Sequence, residues 1–278
     1  MKKIEAGNVS MALPTTLISG EQSLFGIKTQ LQFGRLTVTG LLSQQKGKTS
    51  TVEVAGGAQT TNFQIQGDSY EANKHYFIAQ YFRDHFDSTL AHLPIVKTAV
   101  NITRIEVWVT NRNTTTDNTR NLVAFTDLAE VDKYRYNTAS VKATPTYTGD
   151  YPDNNANALY QDASTSFAAL RDFTNPTPPI YNDCTLSTDY ERLENARKLN
   201  AYEVTFNNKL GFISLNQPLN ADEVLAVAYE YTVAGKVYKV GELSTNGVAA
   251  PKALYLKLLK SKITNTHIPL WKLMMKNI

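Results

Sequence analysis

Only one cysteine, Cys184, occurs in the 278 residues, so no internal disulfide can form and no second thiolate can share a metal. Its side chain reads as a small, partly buried one. No stretch reaches the roughly 18 apolar residues of a membrane-spanning helix. Met1-Lys2-Lys3 runs into Ile4-Glu5-Ala6-Gly7 rather than an apolar segment, which predicts no signal peptide. Charge of one sign is missing too: 28 Lys and Arg stand against 25 Asp and Glu, and the formal +3 is spread too evenly for a nucleic-acid or polybasic membrane surface. No internal repeat or low-complexity tract occurs, which sets aside solenoids and disordered tails.

Motifs for bond chemistry are equally scarce. Gly47-Lys48-Thr49 looks like the end of a phosphate-binding loop, but the motif's first Gly falls on Leu42, and Thr51-Val52-Glu53-Val54 favours a strand where a helix is needed. His85 and His92 are seven apart rather than the four that place two imidazoles on one metal, and His75 and His267 are isolated. No Gly-x-Ser-x-Gly occurs, and Cys184 lacks the local signature of a nucleophile. Asp222 and Glu223 flank a turn, the ordinary place for solvated acids. The sequence therefore predicts no catalytic residue, no metal and no cofactor.

What is present is β patterning. In Leu24 to Phe33, Phe25, Ile27, Leu31 and Phe33 share one parity while Gly26, Lys28, Gln30 and Gln32 share the other. Gly34-Arg35 suits a two-residue type II′ turn into Leu36 to Gln44. In that register Phe33 opposes Leu36, Leu31 opposes Val38, Thr29 opposes Gly40 and Ile27 opposes Leu42, so the apolar faces coincide. Gln32 with Thr37 and Gln30 with Thr39 make the other face, where Leu41 beside Lys28 breaks the pattern. Each strand is about ten residues, the ~9–11 that a tilted strand needs to cross a hydrocarbon core. A soluble sandwich would alternate in the same way, so periodicity leaves both readings open.

Thr51–Val54 and Asn62–Gln66 form a further alternating pair around Gly56-Gly57. Near Gly67 the character changes. Tyr76 to Leu93 predicts an amphipathic helix, at least in its second half, ended by Pro94. Asn101–Asn111 and Leu122–Leu128 are β-prone, giving a βαββ-like piece. Residues 134–155 form a loop rich in Tyr, Thr, Asn and Pro, readable either as a binding surface or as a loop pinned by its own rings. Asn155 to Arg171 predicts a helix stopped by Pro176, Pro178 and Pro179. Thr188-Asp189-Tyr190-Glu191 reads as a capping box opening a helix to about Leu199. From Tyr202 to Gly241 an antiparallel meander of three or four strands is expected, with Tyr229, Tyr231 and Val233 on one face.

Particular wording adds what periodicity lacks. Glu5-Ala6-Gly7-Asn8-Val9-Ser10-Met11, Ser23 to Gly34, Leu36-Thr37-Val38-Thr39 and Leu42-Ser43-Gln44-Gln45 closely resemble the SprA/Sov family. So do Gly67-Asp68-Ser69-Tyr70 followed by His75 to Arg83, Ile105 to Asn111, and Leu225 to Tyr231. The resemblance runs through nearly the whole chain except the loops from about Asn137 to Asn175.

The resemblance implies a giant outer-membrane β-barrel of Bacteroidota, the type IX secretion translocon. Folded cargo with a C-terminal sorting domain leaves the periplasm through it, and some members support gliding motility. Family members are much larger than this chain, which is then an internal fragment; Trp271 to Ile278, still apolar-rich, agrees with an unfinished element. The expected fold is mainly β with an α+β insertion: residues 1–66 as antiparallel barrel hairpins, 67–243 as a folded extramembrane domain, and 244–278 as a connection into the next element. Phe25, Ile27, Leu31, Phe33, Leu36, Val38 and Leu42 would face lipid, and Lys28, Gln30 and Gln32 a wet lumen. Implied partners are the cargo, an outer-membrane shuttle protein, a periplasmic plug protein and the bilayer, with no nucleic acid. The competing reading is a soluble β-rich cell-surface module binding glycan or protein.

Overall fold

The computed structural model describes residues 2–9, 24–44, 71–112, 117–246, 248–263 and 265–275, and forms two compact units divided between Gln64 and Ile65. The Gly47-Lys48-Thr49 segment, the strand pair around Gly56-Gly57 and Gly67 to Tyr70 lie outside the described residues, as does the side chain of Phe25.

The first unit is an antiparallel sheet of β1 (Lys3–Val9), β2 (Leu24–Phe33) and β3 (Leu36–Gln44), with β2 in the middle. The β2–β3 register is the one the sequence predicts, from Phe33 opposite Leu36 to Ile27 opposite Leu42. Gly34 takes φ +59° while Arg35 stays at negative φ, as a type II′ turn requires. β1 adds Ile4 opposite Thr29 and Ala6 opposite Ile27. That strand was legible in Lys3-Ile4-Glu5-Ala6, which alternates in period two.

The second unit runs in chain order through β4 (His75–Phe77), α1 (Gln80–Asp84), α2 (Phe86–Leu90), β5 (Val100–Val109), β6 (Thr119–Phe125), α3 (Leu159–Ser164) and β7 (Tyr190–Lys198). It continues with β8 (Val204–Asn207), β9 (Phe212–Leu215), β10 (Leu225–Val233), β11 (Lys236–Val240), β12 (Leu254–Lys260), α4 (Pro269–Leu273) and β13 (Met274–Met275). Five strands in the order β10-β12-β6-β7-β5 close into a small barrel, because β5 also pairs with β10. β12 and β6 are parallel and the other contacts antiparallel. One edge of β10 carries β5 along its length; the other is divided between β12 at Leu225–Val227 and β11 at Tyr229–Val233. A second sheet has the order β13-β4-β9-β8.

The molecule is thus mainly β with short helices; its closed barrel is a small one of five strands. β12 is buried at all seven positions and β10 at its first five, so both faces of these strands are covered. Residues 244–278, expected as a connection, contribute β12, which sits between β10 and β6. Buried Trp108, Phe125, Tyr229, Tyr231 and Tyr255 fill the core. The Tyr231 hydroxyl donates to the Pro152 carbonyl at 2.6 Å and the Tyr255 hydroxyl to that of Ala163 at 2.8 Å.

Three helical expectations change. Tyr76 to Leu93 begins in β4 and is helical only in α1 and α2, broken at His85, whose φ −97° and ψ 2° leave the helical region, and ended at Leu90 before Pro94. Asn155 to Arg171 gives α3 and a 3-10 turn at Ala168–Arg171. There the Thr165 hydroxyl donates back to the Gln161 carbonyl at 2.8 Å, the local competition that shortens helices. The capping box at Thr188 is wrong outright, because Tyr190–Lys198 is the strand β7. Leu193 and Ala196 are both buried at helix-like spacing because Asn195, at φ 51°, and a register slip opposite Arg120 and Leu122 bulge the strand. The Asp189 carboxylate accepts the Thr185 N–H at 2.7 Å and that of Glu191 the Lys262 N–H at 3.2 Å, so neither caps a helix. The expected meander has four strands but divides between two sheets, β8–β9 in one and β10–β11 in the other.

Candidate functional site

The candidate site of the first unit is its two-faced sheet. Opposed residues in an antiparallel pair share a face, so Ile4, Ala6, Ile27, Leu31, Phe33, Leu36, Val38 and Leu42 line one side. Ile27, Phe33, Leu36, Val38 and Leu42 are exposed, Leu42 to 77%, and Leu31 is half-buried. Free aliphatic area on this scale is unusual against water. The opposite side carries Lys3, Glu5, Lys28, Gln30, Gln32, Thr37 and Thr39. Glu5 pairs with Lys3 and reaches Lys28 at 3.9 Å across β1 and β2. Sequence reasoning placed the hairpin residues on these faces but missed Ile4, Ala6, Lys3 and Glu5, because β1 had not been assigned as a strand.

In the second unit the chemistry-bearing side chains are bound into the fold. Lys257 and Glu130, both almost fully buried, meet at 2.8 Å, and Lys257 also donates to the Thr126 carbonyl. Burial pushes the Glu130 carboxyl up despite Lys257. Arg171 binds both oxygens of Glu242, at 2.8 and 2.6 Å, and stacks over the Tyr255 ring at 3.8 Å. Asp127 accepts the Tyr136 and Asn137 N–H groups at 2.8 and 2.7 Å. Burial nonetheless pushes its carboxyl above the usual range.

Those two bonds tie the start of the Tyr-rich loop to Asp127, and its rings pack on the fold. Tyr151 packs on Tyr81 and Tyr238 at 5.2 and 5.4 Å, and the Tyr147 hydroxyl donates to the Tyr151 carbonyl at 2.5 Å. Cys184 is half-buried, and burial, with Asp189, Asp127 and Asp183 nearby, pushes its thiol up to about 12. His85 stacks on Tyr81 at 4.1 Å and its ring contacts the Tyr81 carbonyl at 2.8 Å, and His92 is exposed.

One polar row was not legible from local pattern. His75 contacts the Glu71 carboxylate at 2.6 Å and the Ser214 hydroxyl at 3.0 Å. Ser214 lies inside β9, paired with both β4 and β8, so the row is a cross-strand tether joining Glu71 to the second sheet. Among the described residues no group of three or more His, Cys, Asp or Glu side chains is placed to hold a metal ion. No described helix is long and apolar enough to cross a membrane, which says nothing of strands that cross as a barrel.

A comparison with curated proteins returns no match. The family model SprA_N, described as motility related/secretion protein, matches residues 1–221, from β1 through β9. That segment includes the two-faced sheet and most of the stretches that carried the resemblance. The chain belongs to the SprA/Sov family of motility and secretion proteins.

Proposed function

We propose that the chain is part of an outer-membrane translocon that exports folded proteins in type IX secretion and supports gliding motility in some members. The observation that carries the reading is the exposed aliphatic face of β2 and β3 opposite a face of Lys, Gln and Thr. Such a sheet is suited to separate lipid from a wet lumen, with Ile27, Leu31, Phe33, Leu36, Val38 and Leu42 toward acyl chains and Lys28, Gln30 and Gln32 toward water. β2 is 10 residues long and β3 is 9, enough to cross when tilted. The second unit, with helices and irregular loops, belongs outside the hydrocarbon.

Transport of this kind is passive conduction through a wide polar lumen and involves no bond chemistry and no cofactor. Cargo with a C-terminal sorting domain would pass through it, while an outer-membrane shuttle and a periplasmic plug would supply direction. The five-strand barrel of the second unit is not that pore; its centre is filled by side chains.

The test is made in the full-length protein in its own outer membrane. Ile27→Arg or Leu31→Arg should block assembly, at a cost of ~2–4 kcal/mol for a mid-bilayer site, whereas Gln30→Arg on the other face should assemble. Normal assembly of both apolar-face variants would overturn the lipid-facing assignment.

A further inference from the structure

Between α2 and β5 the chain forms a protruding loop, Ala91-His92-Leu93-Pro94-Ile95-Val96-Lys97, in which every residue is exposed. Leu93, Ile95 and Val96 are 67%, 69% and 38% exposed. The loop is held in shape. The Ile95 N–H donates to the His92 carbonyl and the Lys97 N–H to that of Thr89, both at 3.0 Å, and Thr98 N–H donates to Val96 at 3.2 Å. Three large aliphatic side chains are therefore presented to solvent on an ordered tip, an arrangement that water disfavours and an apolar phase rewards.

At the base of the loop lies a cleft of about 210 Å³ bordered by Lys97, Lys209, His85, Tyr81, Phe82 and Tyr151, among others. Among the described residues no carboxylate borders it, and none occurs in the sequence from Ala91 to Ala99. Among the described residues neither the Lys97 nor the Lys209 ammonium has an ion-pair or hydrogen-bond partner. The usual fate of a surface lysine beside a partner of opposite sign is absent at both positions.

We propose that this loop and cleft form a peripheral lipid-binding site, with Leu93, Ile95 and Val96 inserted among acyl chains and an anionic headgroup held by Lys97 and Lys209. The chemistry fits a bilayer surface: exposed aliphatic side chains on the loop, and two lysines bordering the cleft between its ends. A convex tip needs a socket in a protein partner, whereas a fluid bilayer conforms to it. The site would hold this unit against the membrane. The proposal rests on the outer-membrane reading above, which puts a bilayer within reach.

The experiment uses the full chain in a Cys184→Ser background, carrying an environment-sensitive fluorophore either at Val96→Cys or at Leu42→Cys. Vesicles of phosphatidylethanolamine with phosphatidylglycerol are compared with phosphatidylcholine vesicles. The label at 96 should shift to the blue and become shielded from iodide on the anionic vesicles, with apparent affinity roughly tenfold weaker for Leu93→Asp. The Lys97→Glu, Lys209→Glu pair should erase the preference for anionic lipid. An equal response to phosphatidylcholine in the parent would overturn the headgroup assignment. A silent label at 96 beside a responding label at 42 would overturn the loop proposal and leave the translocon reading intact, as would a response at 96 to a protein but not to vesicles. A response at 96 with silence at 42 supports the loop and counts against the lipid-facing sheet.

Discussion

The Glu106 carboxylate of β5 accepts a hydrogen bond from the Lys198 ammonium of β7 at 2.6 Å, across the barrel's shortest seam, which has two residue pairs, Trp108 with Lys198 and Val109 with Arg197. Ser244 adds its N–H at 2.8 Å and its hydroxyl at 2.7 Å. Burial alone would raise the Glu106 carboxyl, but Lys198 and Ser244 outweigh it and hold the group below the usual carboxylate range. A depressed folded value means stability that is present above the unfolded value and lost as pH falls through the folded one. Glu106→Gln should therefore cost about 1 kcal/mol near neutrality, a modest figure because Lys198 is partly solvated. The gap between wild type and variant in urea unfolding should close in acid. A gap independent of pH would show that the carboxylate charge contributes nothing to the β5–β7 seam.

How far the sequence foretold this architecture depends on what each signal was. The β2–β3 register was legible to the residue because period two and a Gly turn are both local. Barrel closure was not: the β10–β5 pairing joins Leu225 to Val109, and nothing local announces a partner so far along the chain. β7 was misread because a bulge at Asn195 imitates helical spacing. β12, Leu-Tyr-Leu-Lys-Leu-Leu-Lys, hid its depth behind two lysines that look like surface residues. The pairing of the β2 and β3 apolar residues was legible without the first strand, whereas Ala91 to Leu93 of the exposed loop was taken for the end of a helix and the cleft went unseen.

The lysines of β12 supply the next prediction. Lys257 and Glu130 are each buried with about 2% of the side chain exposed, so removing one leaves a charge in the core. Lys257→Met should cost about 3–5 kcal/mol, and adding Glu130→Leu should recover much of it, because breaking a buried pair is worse than replacing it. The pH dependence has the opposite sign to that of Glu106. Burial raises the folded Glu130 value, so its contribution is complete below the unfolded value and is lost as pH rises through the folded one. The single variant should therefore gain stability on mild acidification, read as a rise in its urea midpoint. An unchanged or falling midpoint would mean that Glu130 is not left as a buried acid.

Gly211, in the turn between β8 and β9, takes φ +66°, and a Cβ there would collide with the Phe82 ring. Phe82 in turn meets Tyr229 and Tyr231 edge-on at 6.3 and 6.1 Å, so a displaced ring disturbs the aromatic core of the barrel. Gly211→Ala combines left-handed backbone strain with overpacking and should cost roughly 2–4 kcal/mol. Gly235→Ala, at φ +84° with open space around it, should show the backbone share alone. Comparing the two unfolding midpoints separates strain from collision, and equal losses would count against the Phe82 contact.

Cys184 reports on the pinned loop. The Asn137 side-chain amide lies 3.8 Å from its sulfur, and Asn137 is itself anchored through its N–H to Asp127. With the thiol pushed up to about 12, little thiolate exists near neutrality. Alkylation by iodoacetamide should then run on the order of a thousandfold slower than for a free cysteine, before any steric protection. Asp127→Asn replaces one acceptor oxygen with a donor and leaves the Tyr136 or Asn137 N–H without its bond. That change should loosen the loop, expose the sulfur and accelerate alkylation well below the denaturant concentration at which the barrel unfolds. Acceleration only at global unfolding would show that the loop is held by its aromatic contacts alone and that the Asp127 anchor is dispensable.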